Sequence, residues 1–302
     1  ARADAEEALT RDRVIELASR QPPALRVAAA RAAEVRAARV GAHAPAAPNP
    51  EIGLVVGPRW LPSRTIVDVL GVLNVPVEIS GASGVRAQEA DARARVAAAQ
   101  LDNTRRLAVA EALDAWALAV GAEAWVRLEG ERAQLDEALF AAAQARRRAG
   151  TIGDLDVQLS AVLRASGLTR LRRAEGIRDT SLLELQRRLG LPLNTAIKVE
   201  GTLDTAAPAP PLADLLSRLP RRADRVGAEL GIAVAEADAR LQQRLAIPVP
   251  RLTATGGRDN EISLRFGVEV PVPIYQRNQT ARAVAQAHRA TVAAERDLVA
   301  LD

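Results

Sequence analysis

The fold is decided by the stretch VPVEISGASGVRAQEADA, Val75 to Ala92, and by its counterpart VPVPIYQRNQTARAVAQA, Val270 to Ala287. In both, a Val-Pro-Val segment ends an alternating apolar run, a short turn follows, and an alanine- and arginine-rich helical pattern begins. Because the same order of patterns occurs twice in one chain, the sequence predicts an internal structural repeat that joins strand pairs to helices.

Alternating segments before these stretches predict two β-hairpins, one over residues 51–79 and one over residues 246–274. Proline-rich segments lead into both of them, Pro48-Asn49-Pro50 and Pro248-Val249-Pro250. Turns are expected at Gly57-Pro58, at Pro62-Ser63 and over residues 256–260.

Long helical patterns fill most of the remaining chain. The longest, over residues 86–148, contains no proline and would extend roughly 95 Å. Helices of that length are typical of coiled bundles, and Pro22 and Pro23 are expected to divide the first helical segment. The predicted first repeat, 1–190, contains helix 5–44, the first hairpin and helices 86–148 and 154–189. An equatorial linker, 191–211, follows it. The second repeat, 212–302, is incomplete and contains helix 212–245, the second hairpin and helix 279–302.

Each predicted hairpin has one apolar face, which we expect to contact lipid. Strand edges in lipid must be paired, so a sheet in a membrane has to close on itself. Four strands are too few for a barrel of useful size, and several copies of the chain would therefore have to complete one barrel. The alternative is a soluble sheet whose apolar face packs on helices. The predicted lipid-facing residues are Ile52, Leu54, Val56, Ile262, Leu264, Phe266, Val268 and Val270.

Composition favours long helices and argues against several classes of protein. Aromatic residues make up 2% of the chain, so alanine, leucine and valine must fill the interior. The net charge of +4 comes from 41 basic and 37 acidic residues that are interleaved, whereas a nucleic-acid patch needs clustered basic residues. There is no cysteine for a disulfide or a thiol metal site, and no apolar run of about 18 residues for a transmembrane helix.

The sequence contains no constellation for catalysis, a cofactor or a metal ion. It has no glycine-rich phosphate loop and no nucleophile motif. His43 and His288, the only histidines, have no neighbouring ligand residues and are expected on exposed helix surfaces. Trp60 and Tyr275 are candidate interfacial aromatics, with local packing as the alternative. We therefore predict no enzyme activity, no cofactor and no nucleic-acid partner.

Over essentially its whole length the sequence resembles the TolC-like outer-membrane efflux factors. The two stretches quoted first carry this resemblance together with two others, APNPEIGLVVG, Ala47 to Gly57, and RRAGTIGDLDV, Arg147 to Val157. The stretches that begin at Arg147 and Val270 are the most specific. All four are most similar to the heavy-metal, CzcC-like branch of the family.

The resemblance implies a mainly α-helical fold with membrane β structure, assembled as a homotrimer. Three protomers would each give four strands to one twelve-stranded barrel in the outer membrane, and long helical hairpins would form an α-barrel through the periplasm. It implies a passive efflux duct for drugs or heavy metals, served by an inner-membrane pump of the RND type and a periplasmic adaptor. The alternatives are a soluble periplasmic adaptor and a long-helix scaffold without a membrane barrel.

The turn between the two longest helices is, by the same resemblance, the expected docking tip for the adaptor. Glycine also permits a tight turn and Asp154 can cap the next helix, so ordinary capping chemistry is the alternative. The residues predicted for docking are Arg147, Arg148, Gly150, Thr151, Gly153, Asp154, Asp156 and Val157.

One departure from the family concerns the end of the sequence. A full member has a second helical hairpin after the second β-hairpin, whereas this sequence stops at Asp302, early in that hairpin. The second periplasmic tip is therefore not expected. The lipidated N-terminal cysteine of the family is a second departure, since the sequence does not contain it. Because the sequence contains no methionine, we expect that its N-terminus has been trimmed.

Overall fold

The computed structural model describes residues 7–20, 22–44, 48–203, 210–259 and 261–301. The expectations for residues 5–6, 45–47 and 204–209, for Asn260 and for Asp302 lie outside these residues. The described elements are, in chain order, β1 (Glu7–Leu9), α1 (Arg11–Arg20), α2 (Pro23–Ala42), β2 (Glu51–Leu61), β3 (Arg64–Pro76), α3 (Ala82–Arg148), α4 (Asp154–Leu189), β4 (Ile197–Val199), α5 (Leu212–Arg218), a 3₁₀ turn (Leu219–Arg221), α6 (Ala223–Arg244), β5 (Arg251–Asp259), β6 (Glu261–Glu269) and α7 (Gln279–Leu301).

Both predicted hairpins form, and they share one antiparallel sheet with the strand order β2-β3-β5-β6. The turn at Pro62-Ser63 is confirmed, but the turn predicted at Gly57-Pro58 is wrong, because β2 continues through both residues. Pro58 is tolerated there since β2 is an edge strand, where a missing N–H need not break the sheet.

The turn predicted from Gly256 onwards is also wrong, because β5 runs through to Asp259. The glycines in this part of β5 do not form a turn, and at Gly257 the structure shows why a side chain is disfavoured. A Cβ atom on Gly257 would lie 2.8 Å from the carbonyl oxygen of Val69, so this residue allows β3 and β5 to approach closely.

The long helices follow the predicted pattern closely. α4 has the predicted bounds, and it ends at Gly190, whose φ of 68° provides a left-handed C-cap. α3 begins four residues earlier than the predicted start at residue 86. Its first amides are capped from outside, since the N–H of Ala82 donates to Ser80 Oγ at 3.2 Å and that of Ser83 donates to Glu78 Oε1 at 2.8 Å.

Two predicted segments need correction at their ends. Residues 7–9 were predicted as helix, and residues 197–199 as part of the linker 191–211, yet they form the strands β1 and β4, which pair in parallel. The division of the first helical segment at Pro22 and Pro23 is confirmed by α1 and α2. The segment 212–245, predicted as one helix, is divided into α5, the 3₁₀ turn and α6, because Pro220 interrupts it.

The chain divides into two compact units, and these do not coincide with the two sequence repeats. Unit 1 contains residues 1–29 and 101–215, and unit 2 contains residues 30–100 and 216–302. The core of unit 1 surrounds Leu9, Val14, Leu185 and Leu189, which are fully buried. Trp116 packs there as well, and its indole N–H donates to the carbonyl oxygen of Leu9 at 2.9 Å.

Unit 2 contains the four-stranded sheet together with α6 and α7. Asn278 ties the start of α7 to the end of α6, because its side-chain amide donates to the backbone oxygen of Gln242 at 2.9 Å. Gly231 lets the two helices approach, since a Cβ atom there would lie 3.4 Å from Val292 Cγ1. Among the described helices, none combines the length and the apolar character needed to cross a membrane.

Candidate functional site

The tip of the α3–α4 hairpin is built by backbone hydrogen bonds that close both helix ends. Gly150 has a φ of 73°, and its N–H donates to the carbonyl oxygen of Arg147 at 3.0 Å. Thr151 caps Arg146 twice, through its N–H at 3.0 Å and its hydroxyl at 2.9 Å. At the start of α4, the carboxylate of Asp156 accepts from the N–H of Gly153 at 3.2 Å. The predicted tight turn at Gly150 is therefore present, but α4 is capped by Asp156 and not by Asp154 as predicted, because Gly153 is the N-cap residue and Asp154 already lies in the first turn of α4.

An ion pair crosses the tip. The guanidinium of Arg147 donates to both carboxylate oxygens of Asp154, at 2.6 and 3.1 Å. This hydrogen bonding lowers the pKa of Asp154 below its usual range and raises that of Arg147. Both side chains are well exposed, so the pair shapes the tip more than it stabilises the chain.

The structure brings the predicted docking residues together on this one exposed turn. Ile152 and Val157 are half-buried, while the residues from Arg146 to Gly150 are exposed. A Cβ atom on Gly150 would meet nothing within 4 Å, so the space beside the turn is open. The geometry can thus present a mixed charged and apolar surface to a partner, in addition to capping the helices.

The pairing register places the predicted lipid-facing strand residues on a single face of the sheet. Ile52 is opposite Leu73, Leu73 is opposite Ala254, and Ala254 is opposite Phe266. Since side chains alternate between faces along each strand, every even-numbered residue of β2, β5 and β6 shares this face with the odd-numbered residues of β3. We call this surface the apolar face.

The apolar face is open along all four strands. Ile52 and Ile262 are 87% and 88% exposed, and Phe266 is 79% exposed. Trp60 lies on the same face and is exposed, as is Tyr275 in the loop beyond the sheet, so neither is locally packed. Val270, also exposed, follows the last residue of β6 rather than lying in the strand. No described helix in this chain covers the face as the soluble-sheet alternative requires.

The opposite surface, which we call the polar face, carries charges that the sequence analysis did not select. Arg59 and Asp68 lie on neighbouring strands and form a hydrogen-bonded ion pair of 2.7 Å. Arg251 is directly opposite Glu269, and Arg265 is directly opposite Thr255. The strict alternation of Ser263, Arg265 and Gly267 with apolar residues was the signal that could have identified this face from the sequence.

The two histidines are both exposed. His288 lies on α7, as predicted, whereas His43 lies in the turn that follows α2 and not in a helix. Within the described ranges, no group of three or more histidine, cysteine, aspartate or glutamate side chains is arranged to hold a metal ion. The two features with a geometry of their own are therefore the α3–α4 tip and the two-faced sheet.

Comparison with known proteins finds one curated relative and several solved structures. No protein-family model matches the chain. Cobalt-zinc-cadmium resistance protein CzcC of Cupriavidus metallidurans is 27% identical over 244 residues, which cover 77% of this chain and 56% of the relative. The chain thus spans about half the length of that relative.

The solved structures are similar over nearly the whole chain. A membrane protein from Pseudomonas aeruginosa superimposes with a TM-score of 0.77 at 20% identity, covering 96% of this chain and 73% of that one. The outer-membrane channel OprN superimposes with a TM-score of 0.76 at 18% identity, covering 96% of this chain and 71% of that one. At these identities the similarity defines the fold.

Proposed function

We propose that this chain is a subunit of an outer-membrane efflux duct and works as a homotrimer. The proposal is supported by the fold that the chain shares with the TolC-like outer-membrane channels and by its sequence similarity to CzcC. Three copies complete one β-barrel in the outer membrane, and their helices form an α-barrel through the periplasm. The duct is passive and is not an enzyme. It receives substrates from an inner-membrane pump, of RND type, through a periplasmic adaptor.

The observation that carries this proposal is a four-stranded sheet with one apolar face and two unpaired edges, β2 and β6. Neighbouring strands are antiparallel throughout, so β2 and β6 run in opposite directions. The β6 edge of one copy can therefore pair in antiparallel fashion with the β2 edge of the next, and a ring of copies has no free edge. This closure satisfies every backbone group in lipid.

The number of copies follows from the size of the lumen. Two copies would give about eight strands, a barrel whose interior side chains nearly fill it. Three copies give twelve strands and leave a water-filled passage. A trimer is thus the smallest assembly of this sheet that can conduct.

The long helix α3 supports association of copies outside the sheet. Large apolar side chains recur along it at the intervals of three, four and seven residues that are typical of coiled-coil packing. Each of them is more than half exposed in the single chain: Leu118, Trp125, Leu128, Leu135 and Leu139. A line of exposed apolar residues of this kind fits a helix supplied by another copy.

The tip of the α3–α4 hairpin is proposed as the contact with the periplasmic adaptor. The open space beside Gly150 and the exposed pair of Arg147 with Asp154 offer a small polar surface of fixed shape. Transport energy comes from the pump, and the duct contributes the path. The name of the CzcC relative makes cobalt, zinc and cadmium ions the first substrates to test.

The trimer proposal is tested by the mass and location of the chain after expression with an export signal. We expect it in the outer-membrane fraction, and in mild detergent we expect a protein mass three times the 32.0 kDa of one chain. Light scattering with detergent correction gives that mass. A monomer recovered from the soluble periplasmic fraction would contradict the proposal and favour an adaptor or scaffold.

A further inference from the structure

The polar face of the sheet has charges at several levels, and at two of them opposite charges occupy adjacent strands. Asp68 accepts a hydrogen bond from Arg59 at 2.7 Å. Arg251 and Glu269 are directly opposite each other in the pairing register, where opposite charges attract. Glu51, which is exposed, adds a carboxylate to the same face, opposite Asn74.

Arg265 is different, because its level contains no carboxylate. Reading across the sheet from β6, Arg265 is opposite Thr255, Thr255 is opposite Val72, and Val72 is opposite Gly53. The Arg265 side chain is exposed, and within the described part of the chain no acidic group forms an ion pair with it. It lies at the centre of the nine-residue strand β6.

A guanidinium at this depth fits water and not lipid. Arginine on the lipid side at the bilayer midplane destabilises a barrel, whereas lumen positions tolerate charge and tune selectivity. Arg265 shares its face with Thr253, Thr255 and Ser263, which are also polar. Its position is therefore consistent with the polar face lining the lumen.

We infer that Arg265 is a selectivity-determining residue, which forms a ring of three positive charges midway along the barrel and raises the permeability of small anions relative to that of small cations. This inference rests on the proposed trimer, because rotational symmetry places the same residue of each copy at one height. Rings of arginine or lysine are a recurring way to favour anions in pores.

The effect depends strongly on ionic strength. The Debye length is about 8 Å at 0.15 M salt and about 30 Å at 0.01 M. At low salt the potential of the ring therefore extends across a wide lumen, whereas at physiological salt it acts near the wall. Selectivity should be measured with dilute solutions on both sides.

The test is the reversal potential of the purified full chain in planar bilayers under a dilute potassium chloride gradient. We expect Arg265→Gln to shift the anion-to-cation permeability ratio towards cations, and Arg265→Glu to shift it further. The shift should shrink as salt is raised. Arg172→Gln is the matched control, since Arg172 is a highly exposed residue of α4 and the substitution changes the net charge equally.

A second measurement detects the electrostatic potential near Arg265 by the rate of a chemical reaction and needs no measurement of current. The chain has no cysteine, so Thr255→Cys introduces a single thiol opposite Arg265. We expect negatively charged thiosulfonate reagents to modify it faster than positively charged ones, and Arg265→Gln to remove that preference.

The possible outcomes separate this inference from the function it rests on. Channels that form but keep the same permeability ratio and the same reagent preference without Arg265 would overturn the ring. A chain that forms no trimer and no channel would overturn the proposed function, and the ring with it.

Discussion

At the residue scale, charge pairs between α3 and α4 set the register of the hairpin. Arg170 on α4 donates to Glu129 at 3.3 Å and to Asp136 at 3.0 Å, and both acids on α3 are largely buried. Arg164 and Arg188, which are also on α4, form ion pairs with Glu137 and Glu111 of α3, respectively. Each of these contacts joins an arginine of α4 to an acid of α3, so a shifted register would leave the buried acids Glu129 and Asp136 without partners.

Gly167 on α4 makes the Asp136 contact possible. A Cβ atom at residue 167 would clash with Asp136 Oδ2, so Gly167→Ala must displace the carboxylate from Arg170. Gly176 is the matched control, because it is in the same helix and a Cβ atom there meets nothing within 4 Å.

We expect Gly176→Ala to stabilise the chain by about 1 kcal/mol through helix propensity. Gly167→Ala should be less stable than Gly176→Ala by about 1–3 kcal/mol, which is the cost of losing a charged hydrogen bond to a buried acid. Urea unfolding of both variants gives the free energies. Equal stabilisation by the two substitutions would show that the Arg170 contact contributes nothing.

None of these residue contacts was predicted from the sequence. The interleaved arginine and acidic residues do not distinguish Glu129, which is buried against Arg170, from exposed acids. Pairing between two helices depends on their register, and that register is not visible in the spacing of either helix alone. The tight turn at Gly150 could be predicted, because it depends on neighbouring residues only.

At the element scale, the α3–α4 turn tests the docking proposal. Gly150 has a left-handed φ, so any side chain there adds backbone strain of about 1–2 kcal/mol. Gly150→Ala introduces that strain with little bulk, and Gly150→Trp adds bulk in the open space beside the turn.

We expect both variants to form trimers, because the ion pairs that Arg164, Arg170 and Arg188 of α4 form with α3 lie away from the turn. Gly150→Ala should keep resistance to the exported ions, and Gly150→Trp should lose it because the adaptor can no longer seat. Growth on cobalt, zinc or cadmium salts measures this in cells that lack the native duct. Normal resistance in cells that carry Gly150→Trp would show that the tip is not part of the docking surface.

Elements with local signals were predicted well, and elements that depend on distant partners were not. α4 has its predicted bounds because Asp154, Gly190 and Pro192 mark both ends. β1 and β4 were missed because each has three residues and exists only by pairing with the other, far away in the sequence. A short segment such as Glu7–Leu9 has no periodicity that could distinguish a strand from a helix.

At the scale of the whole molecule, the sheet has two unpaired edges, β2 and β6, which the proposed trimer would pair. Both hairpins and their incompleteness could be predicted from alternation and strand number. The pairing of β3 with β5 joins the two hairpins into one sheet, and it could not be predicted, because it links distant segments of the chain. The predicted resemblance is confirmed by the CzcC relative and by the shared fold.

The central claim is that the apolar face contacts lipid and the polar face contacts water. Single cysteines along β6 test it directly, since the chain has no other thiol. In sealed outer-membrane vesicles, we expect a charged, water-soluble maleimide to modify Ser263→Cys and Arg265→Cys, and to modify Leu264→Cys and Phe266→Cys only after detergent is added. Equal modification of all four positions, or protection of residues 263 and 265 instead, would contradict a membrane barrel built from this sheet.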